Sequence, residues 1–134
     1  MAGVDSVAYF VARLMTCALW GAAGFHSIWH FKHTVGDMTR RGIPLASFTL
    51  VVVTLMKIVG TVMILADSYV WAVCIAWIAF LVPASYIYHR KWTNAEGKFD
   101  LMQYVMFWKN MSLMGGLLCL MLLDASRPVW LLRG

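Results

Sequence analysis

Charge is scarce in this chain: Asp, Glu, Lys and Arg make up 13% of its 134 residues, against about 25% in an average soluble domain. Hydrophobic residues reach 62%, where roughly 45–50% is usual. A water-soluble chain of this length would have to bury nearly every helix on all sides, which its surface-to-volume ratio does not allow. Lipid removes that difficulty. Catalytic motifs are missing as well: there is no G-x-G-x-x-G, Walker, H-E-x-x-H or serine-nucleophile pattern, which argues against a self-contained enzyme of the soluble type. Cys17, Cys74 and Cys119 have no C-x-x-C spacing, so neither a zinc ribbon nor a dithiol centre is indicated, and they read as small apolar residues. The net charge of +5 is scattered between apolar runs. Nucleic acid, which needs a continuous basic face, is excluded, and anionic lipid headgroups fit better. Met1 to Ser6 carries Asp5 but no Lys or Arg, unlike a cleaved signal peptide, so the first helix is expected to be retained.

What is present is apolar length. Four runs, 7–31, 45–66, 69–88 and 101–123, each offer about 20 residues or more, enough at 1.5 Å per residue to cross a hydrocarbon core of roughly 30 Å. The expected fold is an all-α, integral membrane four-helix bundle, one domain over 1–134. Lys32 to Pro44 and Arg90 to Asp100 are polar connections, Asp67-Ser68 is a tight turn, and the tail with Arg127, Pro128, Trp130 and Arg133 suits an interfacial anchor. Lys32, Arg40, Arg41, Arg90, Lys91 and Lys98 fall on one side, and Arg127 and Arg133 on the other. That excess places loops 32–44 and 90–100 in the cytoplasm. Ile28-Trp29-His30-Phe31-Lys32 is echoed by Ile87-Tyr88-His89-Arg90-Lys91. Both the enrichment of such residues at any helix end near headgroups and a two-hairpin repeat explain the echo.

His26, His30 and His33 are four and three residues apart and share one stripe at the end of the first helix, with Asp37 joining if that helix continues. His89, Lys109 and Asn110 fall on the same membrane side. Several readings stay open for this polar cluster. Interfacial histidines bonded to headgroups, water or neighbouring helices are the plainest. A quinone-headgroup site would use His26, His30, His89, Lys57, Lys109 and Asn110 beside aromatic walls. A metal ion on His26, His30 and His33, or haem between two helices, are further options.

Lys57 stands about ten residues from either end of the second apolar run, roughly 15 Å from each interface. No acid sits at similar depth. A buried ammonium must be satisfied, so Lys57 either has a structural contact inside the bundle or in another chain, or serves a cofactor, a proton or a partner subunit. Arg13 lies on the side where Asp67 and Asp124 also fall, and a structural ion pair explains it. Gly21, Gly24, Gly60, Gly115 and Gly116 offer small surfaces for close helix approach, with Gly24 and Gly116 assigned structural roles.

Arg13, Gly24-Phe25-His26, Met38 through Gly42-Ile43-Pro44, His89-Arg90-Lys91-Trp92, Lys109-Asn110 and Gly115-Gly116-Leu117-Leu118 together resemble the DoxX-like membrane protein family over most of the chain. The resemblance implies a four-helix bundle in a prokaryotic cytoplasmic membrane and points toward subunits of quinone-linked redox complexes, such as those associated with thiosulfate:quinone oxidoreductase or terminal oxidases. Family members often carry Glu in the second helix where this sequence has Lys57, so no role of that acid carries over. The leading expectation is a small membrane subunit of a larger redox assembly, in contact with lipids and other subunits and doing little chemistry alone. An accessory subunit for assembly and lipid sealing is the rival. A proton or small-solute pathway would need a continuous polar stripe, and only isolated polar positions are visible.

Overall fold

The computed structural model describes residues 6–125; Asp5 and the proposed tail anchor around Trp130 lie outside them. Five helices follow in order: α1 (Ser6–Trp29), α2 (Phe31–Arg40), α3 (Ala46–Leu65), α4 (Val70–His89) and α5 (Leu101–Ala125). Four of them, all but α2, are long and apolar enough to cross a membrane, with mean hydropathy from 1.3 to 2.3. Only 17% to 33% of the residues in each span's most apolar stretch are buried inside the bundle. Side chains such as Phe25, Phe48, Val62 and Leu122 are left outward, so the bundle needs lipid around it. The protein is an all-α integral membrane bundle.

The connection after α1 differs from the expected loop. His30 takes φ −110° and ψ 33°, which breaks the helix, and α2 then resumes inside the stretch that sequence patterning assigned to a connection. A Schellman motif ends α2: Ile43 N–H donates to Met38 O and Gly42 N–H to Thr39 O. Gly42 sits at φ 78°, the left-handed position that favours glycine. The same pair of bonds closes α3, from Ser68 N–H to Met63 O and Asp67 N–H to Ile64 O. Asp67 and Tyr69 both have positive φ there, and the chain reverses into α4. At the head of α5, the Asp100 carboxylate accepts the Gln103 N–H at 3.2 Å, an N-cap bond.

α1 packs most closely on α3 and α4 on α5, while the α3/α4 and α1/α5 seams are looser. The two pairs are joined through the middle by Trp20 and Trp77, whose rings stack at 4.2 Å with an 11° interplanar angle. Cys17, Ile64, Cys74 and Leu117 surround them. The tight approaches depend on two glycines. A Cβ on Gly24 would lie 2.8 Å from Ile58 Cγ1, and one on Gly60 would lie 2.8 Å from the Trp77 ring. Gly115 and Gly116 do not share that role, because among the described residues a Cβ at either meets no neighbouring helix within 4 Å. The expectation that they bring helices of this chain together is corrected accordingly.

Candidate functional site

Where α1, α2, α3 and α4 converge, a cleft of about 650 Å³ opens, within the roughly 300–1,000 Å³ typical of small-molecule sites. Its walls are mainly apolar, with Leu50, Val53, Phe80, Pro83 and Ile87 among them, and its polar lining includes Lys57, His26, Asp37 and Tyr88. The break at His30 is what allows α2 to swing across and present Asp37 and Met38 to the cleft. Pro83 lies inside α4. Lacking an N–H, it cannot bond the carbonyl one turn earlier, so the helix wall carries a local irregularity at the cleft.

Lys57 is the deepest polar group. It lies about 16 Å along α3 from Ala46, and a helical side chain leans toward its helix N-terminus, here toward α2. Its Nζ is 5.3 Å from the centre of the Phe80 ring, a cation–π contact. Among the described residues its ammonium makes no hydrogen bond or ion pair. His26 is only about 5 Å along α1 from Trp29, and so lies nearer the membrane surface. Asp37 is held there by Arg41 Nε at 3.0 Å and Arg40 Nη2 at 3.6 Å. The Arg41 guanidinium also lies 4.3 Å from the Tyr88 ring centre.

The other sequence-derived site residues are distributed differently. His30 stacks on His26 with ring centroids 4.4 Å apart but does not line the cleft. His33 belongs to α2, beyond the break, and no group of three His, Cys, Asp or Glu among the described residues could hold a metal ion. The proposed ligand set of His26, His30 and His33 is therefore not assembled, because it assumed one uninterrupted helix. His89 turns to α5, its Nδ1 2.7 Å from Gln103 Oε1. Asn110 donates to Ser85 Oγ at 3.0 Å in the buried α4/α5 interface. Lys109 faces a separate groove between α1 and α5. The expected quinone site had grouped all six, but only His26 and Lys57 share the cleft. Tyr88 and Phe80 were not singled out from sequence; Pro83 inside an apolar run was the signal that could have marked that wall.

At the opposite end of the bundle, charge is enclosed. Arg13 Nη1 donates to Ile64 O at 2.9 Å and Leu65 O at 3.2 Å, and lies 3.9 Å from Asp67 Oδ1. It thereby covers carbonyls at the C-terminus of α3, where a cation is favoured. Asp124, also at this end, accepts a hydrogen bond from Tyr9 Oη at 3.1 Å on Oδ1.

No curated protein and no solved structure shows significant similarity to the chain. The DoxX family model, in contrast, matches residues 8–90, a span that takes in α1 to α4 and so every helix lining the Lys57 cleft. With more than half of its length matched on the helices that build this site, the chain belongs to the DoxX family.

Proposed function

We propose that the protein is a membrane subunit of a larger redox assembly and that the Lys57 cleft receives a quinone headgroup. The observation that carries this reading is an ammonium deep in an apolar cleft, without a hydrogen-bond acceptor or carboxylate partner among the described residues. A buried charge of that kind favours a ligand that supplies an acceptor. The residues present suit the group: Lys57 would donate to one ring oxygen, His26 offers a second polar contact nearer the surface, and the apolar walls accept the ring and the start of its tail. A bound quinone would supply two-electron, two-proton redox chemistry. The protein's part is to bind, orient and exclude water. The excess of Lys and Arg on the side of loops 32–44 and 90–100 supports placing the cleft's mouth at the cytoplasmic face, and the family supports a prokaryotic cytoplasmic membrane.

The test is binding of a short-chain ubiquinone analogue to the protein in nanodiscs, with co-purifying chains identified from a mild-detergent extract. Replacing Lys57 with Met is expected to weaken binding about tenfold, the loss of one hydrogen bond from a charged donor. His26→Ala should weaken it less, and His89→Ala, outside the cleft, should leave it unchanged. Equal affinity in wild type and Lys57→Met would refute the quinone site; isolation of the chain without any partner would refute the subunit role.

A further inference from the structure

The loose α1/α5 seam holds a second groove of about 230 Å³, walled by Met15, Leu19, Leu113 and Leu117, with Gly116 beside them. Beyond its chain neighbours and its own helix backbone, no atom of the described residues lies within 4 Å of a Cβ built on Gly116, so this part of the groove is open space. Thr16, which bonds Ala12 O, lines it too, as do two further polar side chains, Lys109 and Ser112. Neither Lys109 nor Ser112 makes a side-chain hydrogen bond or ion pair among the described residues.

The level of Lys109 in the bilayer follows from its neighbours. Trp92, Tyr104, Phe107 and Trp108 pack together at the head of α5 with ring centroids 4.9 to 6.4 Å apart. Such rings gather at the headgroup boundary. Lys109 follows Trp108 directly, and its side chain leans toward the N-terminus of α5, back toward that belt. The stem can therefore lie along the groove wall while the ammonium reaches headgroup level. Asp100, the nearest acid along the chain, is about 13 Å away along the helix axis and already caps Gln103. Lys109 thus presents a cation at phosphate depth above a narrow apolar channel. A channel of this size admits one acyl chain, whereas a second helix is about 10 Å across.

We propose that the α1/α5 groove is a binding site for one anionic phospholipid, with its phosphate on Lys109 and Ser112 and one acyl chain lying along Gly116. The net charge of +5 favours the same class of lipid. The site is separate from the Lys57 cleft and does not depend on what that cleft binds.

The experiment places the full chain in nanodiscs of three parts phosphatidylcholine to one part phosphatidylglycerol and counts retained lipids by native mass spectrometry. One tightly held phosphatidylglycerol is expected. K109A should lower its retention about fivefold, the usual effect of one basic residue at an anionic surface. G116L, which places a side chain in the groove from a position where a Cβ has open space, should evict the lipid with Lys109 intact. K98A, on an exposed loop lysine 3.8 Å from Glu96, should change nothing. Retention unaltered in both K109A and G116L would overturn the site. So would equal retention of phosphatidylcholine, or a co-purifying polypeptide lost in K109A while the lipid stays, which would make the groove a seat for a partner helix.

Discussion

Arg13 and Lys57 are both cations inside membrane-crossing helices, and they meet opposite surroundings. Arg13 closes onto two backbone carbonyls and approaches Asp67, with the rings of Tyr9 and Phe10 at 4.8 and 5.7 Å. Lys57 has one aromatic ring and an open cleft. The difference separates two uses of intramembrane charge. Where the fold itself supplies acceptors, the cation fastens helices together, here α1 to the end of α3. Where it supplies none, as at Lys57, the proposed reading is that the charge serves a ligand entering the cleft that reaches it.

Substitutions can break this contrast. Arg13→Met should have the largest effect, a loss of about 3 kcal/mol of stability, because it leaves buried carbonyls and Asp67 without their cation. Unfolding of the purified protein in bicelles would measure it. Gly60→Ala comes next at about 2 kcal/mol, since the new methyl must displace the fully buried Trp77 ring; a near-neutral result would mean that Trp77 can shift. Tyr9→Phe, which removes a hydrogen bond to the buried Asp124 carboxylate, should cost about 1.5 kcal/mol by the same assay.

The spanning helices were legible because length and hydropathy alone mark them: the expected runs 7–31, 45–66, 69–88 and 101–123 differ from the observed ends by at most two residues. α2 was not legible as a separate helix. It is short and polar, and the break before it lies in the backbone of His30, where no Gly or Pro announces it. In the candidate site, depth could be read from sequence but direction around each helix axis could not. Lys57 and His26 line one cleft, while His89 and Asn110 face Gln103 and Ser85 across the α4/α5 pair. Gln103 and Ser85 were the overlooked partners, since polar groups in neighbouring apolar helices tend to bond one another. Gly116 was misread for a related reason: a small residue marks either a close approach or a vacancy, and sequence does not distinguish them.

The central claim, that Lys57 is held for a ligand and not for the fold, is tested most directly by the unfolding free energy of Lys57→Met beside that of Arg13→Met in ligand-free bicelles. Lys57→Met should match or exceed wild-type stability, because an unpaired buried cation is exchanged for an apolar chain of similar length. A loss as large as that of Arg13→Met would contradict the account and make Lys57 a structural residue.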